Sequence, residues 1–327
     1  MHGGDVWQGG KPSDWLDFSA NLRPEGMPDW VKAAMRRAAE EARYYPDVAM
    51  KAARQGLAAY AGVSEDRVLP AAGGVAAIDL TLSLSRGTVF IDQPTFGEYA
   101  ARAAVHGRKC TAAKDARCQT GDTRVICNPG NPDGAALEPE EILQAHKTVA
   151  QRGGELIVDE AFIDYCPELS VRGDVRNQLT VVGSLTKILC IPGVRLGYVC
   201  GSEESISRLC ARAVPWQMNA FAARIAAELP EHLDEIRKDA LLNAERRNAF
   251  ADMLQNMGVK VTPSRANFLL CDFGRDMSEM VENLRSKRIL VRQCVSFGLG
   301  TSFLRLAVRT EEENSMLTEE LKRCLKS

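Results

Sequence analysis

Leu179-Thr180-Val181-Val182-Gly183-Ser184-Leu185-Thr186-Lys187, resumed a few residues later by Pro192-Gly193-Val194-Arg195-Leu196-Gly197, is the stretch on which the fold turns. Its apolar opening reads as a buried strand. Ser184 to Lys187 then fall at a carboxyl end, the edge at which open α/β sheets bind ligands. A lysine at that edge is partly desolvated, which disfavours its charged form and frees an amine to attack a carbonyl and form a Schiff base. The Ser184 hydroxyl and the Arg195 guanidinium are suited to a phosphate. The set fits an aldehyde that carries a phosphate.

Three further strand ends supply matching groups. Glu155-Leu156-Ile157-Val158-Asp159-Glu160-Ala161-Phe162 is an apolar strand ending in two carboxylates. Asp159 can keep a pyridine nitrogen protonated, the condition under which pyridoxal phosphate acts as an electron sink. Val125-Ile126-Cys127-Asn128-Pro129-Gly130-Asn131-Pro132-Asp133-Gly134 repeats strand then turn, and Asn131 can bond a phenolic oxygen. Val89-Phe90-Ile91-Asp92-Gln93-Pro94-Thr95-Phe96-Gly97-Glu98-Tyr99 ends in aromatic residues, with Tyr99 offering a ring for stacking. Singly, each is ordinary: Asn-Pro and Pro-Asp-Gly form turns, and an acid after a strand commonly caps a helix. Aromatic, amide, acid and lysine in order on four strand ends point together to one bound cofactor.

His2-Gly3-Gly4, Leu16-Asp17-Phe18-Ser19-Ala20-Asn21, Tyr45-Pro46-Asp47, Asp159 to Asp164 and Ile289-Leu290-Val291-Arg292 extend the pattern. With them the chain resembles the fold-type I pyridoxal phosphate enzymes of the aminotransferase class. Within that class it resembles the threonine-phosphate decarboxylases of cobalamin synthesis, with histidinol-phosphate aminotransferases as near relatives. The resemblance implies that Lys187 is the Schiff-base lysine, Asp159 the pyridine partner, Asn131 the phenolate partner and Tyr99 the stacking ring. It gives the cofactor phosphate to Ser184, Arg195 and the backbone N–H groups of Gly74 and Val75, where a helix opens. Tyr45 is implied to reach the phosphate of a neighbouring subunit, hence a homodimer. Arg305 is implied to hold the substrate carboxylate in its planar fork. Arg292 would meet the substrate phosphate, with Asn21 and His2 completing that pocket under the amino-terminal arm. Arg309 is expected at the surface.

Decarboxylation and transamination part according to which bond at the α-carbon stands perpendicular to the cofactor ring. Phe162 lies where many aminotransferases carry a tyrosine and where the decarboxylase pattern has phenylalanine. Gly74-Val75-Ala76 and Asp133 depart from the side chains usual in relatives, which leaves backbone contacts to hold the phosphate. The implied reaction is pyridoxal phosphate-dependent decarboxylation of L-threonine O-3-phosphate to (R)-1-amino-2-propanol O-2-phosphate in cobalamin synthesis. A histidinol-phosphate aminotransferase and a catalytically idle pyridoxal phosphate-binding protein are the alternatives.

Composition excludes other classes. A net charge of -2 over 327 residues, without a basic run or a Cys/His finger, speaks against a nucleic-acid partner. No Cys-x-x-Cys pair occurs, so no metal site is expected, and Cys127, Cys190, Cys200 and Cys271 in apolar runs read as buried reduced thiols. The start lacks a charged and apolar signal region and no run reaches membrane-spanning length, so the expectation is a cytoplasmic protein with no membrane partner.

The expected fold is α/β, a fold-type I pyridoxal phosphate-dependent transferase. Residues 1–45 read as an arm and a helix joining the small domain, the helix from Pro28 to Arg43 setting Trp30, Val31, Ala34, Met35 and Ala38 on one face. Residues 46–232 read as the large cofactor-binding domain, a mostly parallel sheet wrapped by helices, because apolar strands alternate with helical segments such as Pro139 to Gln151. Residues 233–327 read as a small α+β domain, a long helix followed by strands over Val259 to Pro263, Phe268 to Asp272, Ile289 to Arg292 and Phe303 to Val308.

Overall fold

Apolar runs that bury both faces need neighbours on both edges, and the chain supplies them in one seven-stranded sheet. From edge to edge its strands are Val68–Ala71, Gly197–Cys200, Leu179–Ser184, Glu155–Asp159, Thr123–Cys127, Val89–Ile91 and Cys110–Ala112. All pairings are parallel except those of Gly197–Cys200, which runs against both neighbours. The computed structural model describes residues 3–8, 10–113 and 118–326, without the side chains of 324–326. The α/β fold expected from the alternation is the one observed.

Alternation along the strands feeds two cores. Leu156, Val158 and Val181 join Leu57 and Ala226 on one face, while Ile157 and Val182 join Ile78, Leu82 and Tyr99 on the other. Helices therefore cover both faces, as a parallel sheet requires.

The helix Asp29–Glu41 corrects one expectation. Its apolar face is as read, with Val31, Ala34 and Ala38 fully buried. That face packs on the helix Ala220–Glu228, and Val31 and Ala34 enter the core of the seven-stranded sheet, not that of the carboxyl-terminal region. Small side chains on both helices, Ala34 on one and Ala222 and Ala226 on the other, permit the close packing in that core.

What ties the amino terminus to the carboxyl-terminal region is the short arm. Leu16–Asp17 pairs in parallel with Ile289–Leu290, Phe18 donates its N–H to the Leu290 carbonyl at 2.7 Å, and Ala307 donates to the Phe18 carbonyl at 2.9 Å. The Phe18 ring is fully buried against Phe250 and Leu304, a burial that stabilises by roughly 1.5–3 kcal/mol. Arg309 was expected at the surface but is half-buried: it donates to Glu313 at 2.9 and 3.0 Å and to the Asp17 carbonyl at 3.1 Å. It thus clamps the arm to the last helix.

A second, four-stranded antiparallel sheet runs Arg292–Gln293, Phe303–Ala307, Phe268–Asp272, Lys260–Val261. The strand expected from Ile289 to Arg292 is divided, because Ile289–Leu290 bonds to the arm and Arg292–Gln293 to Phe303–Ala307. The described cysteines are free thiols; Cys200 and Cys271 are buried, whereas Cys127 and Cys190 are partly exposed. Among the described residues, no helix is long and apolar enough to cross a membrane.

Candidate active site

Parallel pairing aligns the strand ends: Cys127 stands opposite Asp159, and Asp159 opposite Val182. At that edge opens a cavity of about 550 Å³. It is lined by Gly74, Val75, Tyr99, Asn131, Asp159, Ser184, Lys187 and Arg195 from the sheet side, and by Asn21, Arg292 and Arg305 from the arm and the second sheet. Tyr45 stands apart from this lining, 83% exposed and packed on Trp216 with ring centroids 5.1 Å apart. His2 lies outside the described residues.

One end of the cavity is a cradle for an anion. The helix Gly74–Leu82 begins there, and the N–H groups of its first turn have no intrahelical acceptor. Gly73 adopts φ +90°, and a Cβ on it would lie 2.6 Å from Nη2 of Arg195. A Cβ on Gly74 would meet Cβ of Ser184 at 3.2 Å. The two glycines therefore keep room between helix, hydroxyl and guanidinium. Arg195 has φ 64°, a region that side-chain-bearing residues rarely adopt, and donates to the Pro192 carbonyl at 2.9 Å. N–H groups, a hydroxyl and a guanidinium make a donor set that fits a phosphate.

In the middle of the cavity, Asp159 accepts from the Tyr99 hydroxyl at 2.5 Å and from the Ala161 N–H at 2.9 Å. Burial raises its carboxyl above the ordinary aspartate range, against the opposing Tyr99 bond and Lys187 charge. Lys187 donates to Ser184 Oγ at 3.1 Å and lies 5.4 Å from the Phe162 ring centroid. Burial holds its amine below the ordinary lysine value; the Arg195 charge adds to that and Asp159 opposes it. The Ser184 hydroxyl in turn shares a 2.8 Å bond with Thr186 Oγ1. An acid, an amine and an anion cradle thus share one wall, which fits a phosphorylated pyridine aldehyde.

The facing wall carries cations. Arg305 donates to Asn131 Oδ1 at 2.7 Å and to the Ser19 carbonyl at 2.8 Å, and its buried Nε has no acceptor. Burial pushes its guanidinium down to about 10, with the Arg292 charge adding. Because Asn131 Oδ1 is taken by Arg305, its amide nitrogen is the group left for a phenolic oxygen. Arg292 donates to Ser296 Oγ at 2.6 Å. Asn21 is buried with Oδ1 unpaired.

Cavity residues to which the sequence assigned no role in the site include Ser19, Phe96, Glu98, Cys127, Thr186, Ser296 and Phe297. Thr186 lies inside the lysine motif and Phe96 inside the aromatic one, so both motifs carry the signal. Ser296 and Phe297 follow Arg292 by four and five positions, and only the turn Cys294–Phe297 brings them back.

The family aminotransferase class I and II matches residues 13–321. The threonine-phosphate decarboxylase of Salmonella typhimurium is 32% identical, over 99% of this chain and 96% of that protein. The solved histidinol-phosphate aminotransferase from Clostridium acetobutylicum is similar with a TM-score of 0.86 at 26% identity, covering 94% of this chain and 98% of its own. The L-threonine-O-3-phosphate decarboxylase from Porphyromonas gingivalis has the same TM-score at 24% identity, over 95% and 100%, a likeness in fold.

Proposed function

We infer the activity from one premise: the chain belongs to the aminotransferase class I and II family and is a pyridoxal 5'-phosphate-dependent enzyme. Our reading is a decarboxylase that converts L-threonine O-3-phosphate to (R)-1-amino-2-propanol O-2-phosphate for cobalamin synthesis. The observation that carries it is the pair Arg292 and Arg305, two cations on one cavity wall whose partners are neutral oxygens. They suit a substrate with a carboxylate at one end and a phosphate at the other. The full-length likeness to the Salmonella decarboxylase supports the same choice.

When bound, the cofactor supplies an electron sink for the pair left on the α-carbon as carbon dioxide departs. The chain's own groups have the following roles in this reading. Ser184, Arg195 and the first-turn N–H groups of Gly74 and Val75 hold the cofactor phosphate. Asp159 keeps the proton on the ring nitrogen, and the Tyr99 hydroxyl favours the ionised carboxylate against its burial. The Tyr99 ring also flanks the cofactor. Lys187, its amine held below the usual lysine value by burial, would hold the cofactor through its aldehyde and would supply a proton from Nζ to the α-carbon. Arg305 would bind and orient the substrate carboxylate while Arg292, Asn21 and His2 would take the phosphate. Phe162 beneath Lys187 offers no hydroxyl to the phenolic oxygen.

The exposed Tyr44, Tyr45, Val48 and Trp216 support a homodimer in which Tyr45 reaches the neighbouring site, since in this chain it does not line its own. Incubation of the holoenzyme with threonine phosphate tests the activity. Carbon dioxide release without 2-oxoglutarate is expected; amino transfer from histidinol phosphate to 2-oxoglutarate would replace the reading with the aminotransferase. Turnover of neither by a cofactor-loaded protein would leave the idle binder.

A further inference from the structure

Arg292 and Arg305 are register partners in an antiparallel pair, so their side chains leave the sheet on the same face. Like charges opposed in this way repel each other. Neither forms an ion pair with a carboxylate among the described residues: Arg292 has Ser296 Oγ, Arg305 has Asn131 Oδ1 and the Ser19 carbonyl, and Asp17 acts on Arg305 only through space. What the two cations share is a ring. The guanidinium carbon of Arg292 lies 5.4 Å from the centroid of Phe297, and that of Arg305 lies 5.8 Å from it. Phe297 is half-buried, Ser296 is exposed, and both line the cavity. They sit on one short turn, Cys294–Phe297, which closes at Gly298 with φ 80°.

Resting on the decarboxylase reading, we propose that Phe297 is a spacer between two anion sites and that Ser296 donates to the substrate phosphate. The turn Cys294–Phe297 then measures the span between carboxylate and phosphate. The π face of Phe297 attracts each guanidinium, while the bulk of the ring stops both from converging on one anion. The Ser296 oxygen accepts from Arg292, which leaves its own proton free to donate into the cavity. A dianion of matching length neutralises both cations. One that is too short or too long leaves a cation desolvated and unpaired, which weakens binding.

The test is calorimetric titration of the cofactor-loaded enzyme with 3-phosphonopropanoate, 4-phosphonobutanoate and 5-phosphonopentanoate, which carry both charges and no amine. 4-Phosphonobutanoate has as many atoms between carboxylate and phosphorus as threonine phosphate. The wild-type chain is expected to bind it about tenfold more tightly than either neighbour, and Phe297→Leu to bring that preference to within about twofold. Phe297→Tyr keeps the ring and should keep the preference. Ser296→Ala should weaken all three ligands by a common factor of about three to ten, without moving the optimum. A wild-type chain indifferent to length, or a cofactor-loaded Phe297→Leu protein with an unaltered preference, overturns the spacer. If Phe297→Leu loses its cofactor, Phe297→Met carries the same two outcomes. Absence of carbon dioxide release from threonine phosphate, with the length preference present and responsive to Phe297, removes the decarboxylase reading and leaves the spacer standing.

Discussion

The two walls of the cavity differ in one acid and in what they leave unpaired: Asp159 stands among the cations of the sheet wall, and unpaired polar atoms mark the facing wall. On the sheet wall, Asp159, Lys187 and Arg195 each have a protein partner, from Tyr99 and Ala161, Ser184, and the Pro192 carbonyl respectively. On the facing wall, two arginines stand in register with neutral acceptors only, and Arg305 Nε and Asn21 Oδ1 have none. A buried polar group without a partner costs about 1–3 kcal/mol. Under the proposed function, the sheet wall is organised in advance around the cofactor, and the unsatisfied donors and acceptors of the facing wall serve the substrate.

Substitutions that break the first wall should act on chemistry, and those on the second should act on binding. The largest effect is expected for Lys187→Ala, with turnover of threonine phosphate falling by at least about a thousandfold as the positioned amine is lost. Substantial turnover in that variant would remove Lys187 from the chemistry. Next comes Arg292→Ala, which should raise KM for phosphorylated substrates by about ten- to a hundredfold with kcat little changed, because a remote anion is bound alike in ground and transition states. A drop in kcat at constant KM would instead join the two walls. Tyr99→Phe deletes one donor to the Asp159 carboxylate and should cost about tenfold in kcat; a change confined to KM would move Tyr99 from the first wall to the second.

The last effect concerns stability, not turnover, and lies beneath the sheet wall. Glu160 is buried and accepts from Ser170 Oγ at 2.6 Å and from the Val171 N–H at 2.7 Å, yet burial pushes it up to about 7. Its folded pKa exceeds its ordinary value of 4.5, so the unfolded chain gives up this proton first as pH rises. The contribution is complete below the unfolded pKa and is lost as pH climbs through the folded one. Denaturant unfolding at about pH 5 and about pH 8 should differ by on the order of 1–3 kcal/mol from this group, and Glu160→Gln should shrink the difference. An equal difference in that variant would assign the titration elsewhere.

Much of the sheet wall was legible because its strands are buried on both faces. Such strands write continuous apolar runs, as in Leu156-Ile157-Val158 and Leu179 to Gly183, and the first polar residues after each run fall at the ligand edge. The facing wall was less legible. Arg305 meets Asn131 across 174 positions, and no local pattern reports such a meeting. Tyr99 was read as a ring, but its hydroxyl finds Asp159 across 60 positions. Phe297 and Ser296 lie in a turn without periodicity, so neither stood out beside Arg292.

By itself, the order of residues determined that lysine, acid and amide would stand at or just past the ends of successive strands, since burial and strand period act over a few neighbours; Tyr99, read as a strand end, lies instead in the helix Glu98–Val105, beyond the strand Val89–Ile91. Only the tertiary structure decided that Asp29–Glu41 would enter the core of the large sheet, that Arg309 would clamp the arm, and that Arg292 would face Arg305 across one ring. Those outcomes depend on strand register and on helix faces brought together from distant parts of the chain, where the packing of many groups at once, and not the preference of any one segment, selects the partner.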